Sequence, residues 1–191
     1  IFADFVSRSG SKAADFDLYG HSAGAQFSHR FALLGGSPRV RRVVIANAGS
    51  YSMPVFDKPF PWGLGGIGLG EGHLSRVLSL EGIVMLGDKD TDPNHSALPR
   101  DPEAMAQGLH RFARGTAFFD ALDAAAKRRP FRFAWRKVIV PGVAHDNAGM
   151  AIAAAQVLYG SKKGCCPCGQ RGQRAAPSGD CDGIRVEVRH A

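Results

Sequence analysis

Short apolar runs alternate along this chain with longer stretches of helical periodicity. Phe16-Asp17-Leu18-Tyr19 leads into Ala25 to Leu34, where apolar residues recur at helical spacing. Gly82-Ile83-Val84-Met85-Leu86 and Val138-Ile139-Val140 are continuous apolar runs, the pattern of strands buried on both faces. The pattern predicts strands near 16–20, 41–47, 82–87 and 131–140, and helices near 23–34, 101–114, 116–128 and 147–159. Ile1 to about Arg8 also reads as helical. Asp101-Pro102-Glu103 supplies a cap, a first-turn Pro and an acidic first turn; Asp146 and Gly160 bracket the last helix. Strand and helix in alternation predict an α/β fold, with a mostly parallel sheet of about four strands flanked by helices.

Two stretches break the alternation. Residues 48–80 are rich in aromatics, Gly and Pro, including Tyr51, Phe56, Phe60 and Trp62. Aromatics argue against disorder, so the segment is expected to be a lid or pocket wall. Beyond Gly160 apolar residues become sparse, and all four cysteines occur there: Cys165, Cys166, Cys168 and Cys181. Their spacing fits no paired zinc site, so residues 161–191 are expected to be a disordered basic tail behind a single domain at 1–160. Six of the 24 Lys/Arg and three of the 17 Asp/Glu lie in that tail, so it carries three of the seven net positive charges. The remaining charge is mild and forms no basic stripe interleaved with aromatics, which argues against a nucleic-acid binder. No apolar run reaches the ~18 residues of a membrane span. No secretory leader is visible at a start that lacks Met, and the expectation is a cytoplasmic protein.

The most informative residues are Gly20-His21-Ser22-Ala23-Gly24, set between a predicted strand and a predicted helix. No phosphate-binding Gly-Lys-Ser/Thr pattern accompanies them. A Gly-x-Ser-x-Gly in this context is a nucleophile elbow, a turn tight enough to strain the serine backbone and push its hydroxyl out of the sheet. Bulk on either side is expected to clash, which would account for both Gly20 and Gly24. The helix starting behind the serine offers free N–H groups to a developing oxyanion. Serine needs a base, and His145 follows Val138-Ile139-Val140 and Pro141-Gly142 on a strand-to-helix loop at the rim where open α/β sheets place ligands. The base needs a carboxylate to hold its tautomer, and Asp88, Asp90 and Asp92 all follow the strand at 82–87.

With these residues the chain resembles the α/β-hydrolase superfamily of serine hydrolases, whose triad runs in the order Ser, acid, His. Within it the chain is most similar to bacterial poly(3-hydroxyalkanoate) depolymerase-like enzymes and lipases or esterases, over about Phe16 to Tyr159. The resemblance implies Ser22 as nucleophile, His145 as base and Asp90 as acid, with the Ala23 N–H as oxyanion donor. His21, Asn47, Tyr51 and Trp62 are expected near a small or polymeric ester substrate. No cofactor or metal is implied. The family has several strands before its nucleophile, and these residues read as the C-terminal portion of such a domain. One oxyanion donor is expected from the part not included, the elbow strand is expected to form an exposed edge, and activity is expected to be weak. An acyltransferase on the same triad and an inactive binding module are the alternatives. Arg111 and Arg114 read as a solvated or ion-paired helix face.

Overall fold

The computed structural model describes residues 1–160 and the backbone of 187–189. The elements run α1 (Phe2–Ser9), β1 (Phe16–His21), α2 (Ala23–Leu33), β2 (Val40–Ala46), α3 (Glu71–Ser79), β3 (Glu81–Gly87), α4 (Pro102–Met105), α5 (Arg111–Lys127), β4 (Arg136–Val140), α6 (Asn147–Tyr159) and β5 (Glu187–Arg189). The sheet order follows the chain, β1-β2-β3-β4-β5. The first four strands are parallel, and β5 is antiparallel to β4.

Alternation along each central strand feeds two cores. Val43 and Ile45 of β2 with Val84 and Leu86 of β3 face α2, α3 and α5, where Leu33, Leu74, Leu78, Phe118 and Leu122 meet them. Val44, Ala46, Ile83 and Met85 face the other way, onto Met150, Ala153 and Ala154 of α6. Such strands are covered on both sides, which is why they read as unbroken apolar runs. Parallel pairing brings the C-terminal ends of β1, β3 and β4 to one rim, so Ser22, Asp90 and His145 can converge.

Several boundaries differ from expectation. The segment 48–80 is no single loop: Leu74, Val77 and Leu78, at helical spacing, make α3 a core helix packed into the sheet layer. The rest folds back on itself through Met53 N–H to Trp62 O and Leu64 N–H to Val55 O, and is tied to α2 by Ser52 N–H to His29 Nε2. The helix expected at 101–114 is a single turn, α4, then a break; Gly108 stands at φ 146° and α5 begins at Arg111. Strand β4 is only five residues, because 131–135 run outside the ladder while the Ala134 N–H bonds Leu78 O. The cysteine-containing part of the tail lies outside the described residues. Within the tail, Glu187–Arg189 adds the fifth strand, which composition did not suggest.

Candidate active site

Ser22 occupies the turn between β1 and α2 with φ 55° and ψ −117°, a region that non-glycine residues rarely visit. Two hydrogen bonds hold it there: its N–H donates to Ala46 O at 3.0 Å, and its carbonyl accepts from Gln26 N at 3.0 Å. A Cβ on Gly20 would overlap the Gly24 carbonyl and the Ser28 hydroxyl, so the strand and helix can approach only with glycine there. Gly24 is different: a Cβ would meet open space, and the expected clash on that side does not exist. Ala23 opens α2, and the first N–H groups of a helix have no acceptor within it.

His145 Nε2 lies 2.9 Å from Ser22 Oγ, and its Nδ1 lies 2.8 Å from Asp90 Oδ2. An ionised carboxylate can only accept, so Nδ1 carries the proton and Nε2 faces the serine as acceptor. The three carboxylates after β3 separate cleanly. Asp88 accepts from the Gly142 N–H at 2.7 Å and ties the two loops together. Asp92 accepts from Asn94 N–H at 2.8 Å, closing its own turn. Asp90, 2% exposed, reaches the imidazole.

Three devices place His145. Asp146 caps α6, accepting from the Ala148 and Gly149 N–H groups. A Cβ on Gly87 would run into the Val143 carbonyl, so glycine lets the His145 loop close onto the end of β3. Asn47, fully buried, donates to Ala144 O at 3.1 Å and accepts from Gly87 N–H at 2.9 Å. Burial lowers the His145 pKa below the ordinary imidazole value; Asp90 opposes that, while Arg111 and His95 add to it. His21 packs against the His145 ring at 4.7 Å between centroids. Burial, with the His145 ring beside it, holds His21 low as well, and its buried Nε2 has no hydrogen-bond partner among the described residues.

Two solved structures share this arrangement of elements. Poly(aspartic acid) hydrolase-1 from Sphingomonas sp. KT-1 is 40% identical with a TM-score of 0.80, covering 83% of this chain and 60% of that one. LpqC, a poly(3-hydroxybutyrate) depolymerase from Bordetella parapertussis, is 35% identical with a TM-score of 0.78, covering 83% of this chain and 53% of that one. The chain belongs to the α/β-hydrolase superfamily. It spans little more than half the length of these two relatives. No protein-family model matches it, and no curated protein does.

Seen as an α/β-hydrolase, the chain corrects part of its expected substrate shell. Tyr51 is fully buried, stacked on Phe118 at 4.6 Å, and belongs to the core; an apolar neighbourhood around an aromatic in the sequence does not reveal which side it faces. Asn47 is likewise sealed from any ligand and acts as a clamp between loops. Trp62 is half-buried in the folded-back loop, where its backbone carbonyl pairs with the Met53 N–H. His21 remains beside the site. Two residues near the site were not among those expected there, although an ion-paired face had been expected for Arg111. His95 meets the His145 ring edge-on at 5.0 Å, and Arg111 reaches Asp90. The one local hint for Arg111 was an arginine beside Leu109 and Phe112 at the start of an apolar helix.

Proposed function

We propose that the protein is a serine hydrolase that cleaves carboxylic esters through an acyl-enzyme. The observation that carries this reading is the continuous chain Ser22 Oγ, His145 Nε2, His145 Nδ1, Asp90 Oδ2, attached to a strained serine at a helix N-terminus. His145 Nε2 takes the Ser22 proton as Oγ bonds to the ester carbonyl carbon. The carbonyl oxygen, now negative, turns toward the Ala23 N–H. Collapse breaks the bond to the alcohol, which leaves with the proton from His145. Water then repeats the sequence on the acyl-Ser22 ester and regenerates the enzyme. Asp90 holds the imidazole tautomer and offsets its positive charge in both half-reactions.

The names of the two relatives, a poly(aspartic acid) hydrolase and a poly(3-hydroxybutyrate) depolymerase, support a polymeric as well as a small ester substrate. A groove of about 590 Å³ begins at Ala23 and is lined along α2 by Phe27, Phe31 and Leu34 with Gln26 and Arg30 among them, and by Phe60. Its aromatic and aliphatic side chains suit the hydrocarbon part of such an ester. Among the described residues no helix is long and apolar enough to cross a membrane. The deciding experiment is labelling with a serine-reactive fluorophosphonate alongside p-nitrophenyl ester hydrolysis. Wild-type protein is expected to label at Ser22, and Ser22→Ala is expected to abolish labelling and cut turnover by roughly 10⁴-fold or more. Labelling that survives in Ser22→Ala would overturn the assignment.

A further inference from the structure

We propose that Arg111 is a positioning residue for this site: its guanidinium shares the Asp90 carboxylate with His145 and offsets the charge of the acid. The proposal rests on the serine-hydrolase reading above. Arg111 is 1% exposed, as enclosed as Asp90 at 2%. The two carboxylate oxygens are divided, with Oδ2 on His145 Nδ1 at 2.8 Å and Oδ1 facing Arg111 Nη1 at 3.6 Å. Arg111 Nε and Nη1 have no hydrogen-bond partner among the described residues, and Nη2 reaches only His95 Nδ1, at 3.4 Å. A buried guanidinium so poorly hydrogen-bonded is strongly unfavourable unless a charge compensates it. Asp90 is the carboxylate with which it pairs. The helix carrying Arg111 is fixed to the same residue by a second link, since the Phe112 N–H donates to the Asp90 carbonyl at 3.2 Å. The first turn of α5 therefore grips the acid through both backbone and side chain.

The consequence is electrostatic. With Arg111 in place, His145 faces a nearly neutral Asp90–Arg111 pair instead of a bare carboxylate. Without it, the full Asp90 charge stabilises the imidazolium, and the base stays protonated to higher pH. The other groups facing His145 are His21 from the end of β1, His95 from the loop after β3, and Asp146 on its own loop, which acts on His21. All three remain when Arg111 is replaced. His95 also loses its contact with Nη2, so its ring signals are followed beside those of His145.

The test is an NMR titration of the His21, His95 and His145 ring signals in the wild type, Arg111→Gln and Arg111→Lys. The expected result is a His145 midpoint at higher pH in Arg111→Gln, with Arg111→Lys close to wild type. In ester hydrolysis, the Arg111→Gln to wild-type activity ratio should be about three- to tenfold lower at pH 6 than at pH 9. A folded Arg111→Gln protein with an unmoved His145 midpoint overturns the proposal. Should Arg111→Gln not fold, the pairing is read from stability: Asp90→Asn with Arg111→Gln is expected to unfold at higher urea than either single variant, and a double variant no better than the worse single overturns it. Fluorophosphonate labelling keeps the two readings apart. Wild-type protein that does not label defeats the hydrolase reading and this proposal with it, whereas a labelling wild type with an unmoved His145 in Arg111→Gln defeats the Arg111 assignment alone.

Discussion

Ser22 and its flanking glycines show how unequal two identical residues can be. Gly20 sits where any side chain would strike the Gly24 carbonyl, while Gly24 faces open space in the first turn of α2. Gly20→Ala is therefore expected to unfold the protein or displace Ser22 enough to remove activity. Gly24→Ala should be tolerated, and could stabilise by about 0.5–1 kcal/mol because alanine has less backbone freedom to lose. Thermal unfolding of both variants checks this, and equal losses would show the asymmetry to be wrong. The imidazole of His145 gives a second expectation. Burial favours its neutral form, so in the proposed role of base it can accept a proton at lower pH than an exposed histidine. The acid limb of kcat/KM should have its midpoint below the ordinary imidazole value of 6.5. A midpoint above that value would mean that Asp90 outweighs burial.

The helices and strands were readable to the extent that their signals were local. The runs behind β1 to β3, the second half of the run behind β4 and the caps of α6 depend on neighbours within a few residues, and they form where expected. Asp146 is the cap that also sets the direction of the His145 loop. Asp146→Ala should lower stability through loss of the cap, with a larger proportional loss of activity because the loop carries His145, the proposed base. A stability loss with unchanged kcat would show that the loop is held by Asn47 and Gly87 alone. The missed elements have a common cause. The spacing of Arg111 and Arg114 suited an outward face, but the break at Gly108 resets the helix, and Arg114 ends up fully buried, donating to the carbonyls of Gly49, Pro99 and Gly108. Helix α3 was hidden in the Gly- and aromatic-rich stretch because its helical pattern spans only nine residues.

Across the molecule, pH acts through buried histidines. His29 is fully buried between helix and loop, its Nδ1–H donating to Ala25 O and its Nε2 accepting from Ser52 N–H. Both nitrogens are used by the neutral ring, and burial pushes its pKa down to about 3 from 6.5. The unfolded chain accepts the proton first, so stability is full above pH 6.5 and falls as pH drops from there toward 3. Within that window this one group costs about 1.4 kcal/mol per pH unit. His21 and His145 are shifted in the same direction and add to the slope. Asp17 does not contribute there. Burial raises it, but hydrogen bonds from Arg42, Arg41 and Tyr159 prevail and hold it well below 3.8, so its stabilisation is lost only in stronger acid. Urea unfolding at pH 7.5 and 5 should show the loss, and His29→Gln should flatten it in part. A wild type equally stable at both values would contradict the buried neutral ring.

The sequence by itself determined the alternating sheet, the serine turn and the rim on which the histidine lies, because apolar period, glycine and capping signals act over a few residues. It could not decide among Asp88, Asp90 and Asp92, nor separate Asn47 and Tyr51 from the substrate shell, nor pair Arg111 with the acid. Those outcomes depend on which loops meet. Asp90 and His145 are 55 residues apart and Ser22 and His145 are 123 apart, and only parallel strand register brings them together. Tertiary packing then decides which polar side chains become clamps, which enter the core and which remain facing the serine.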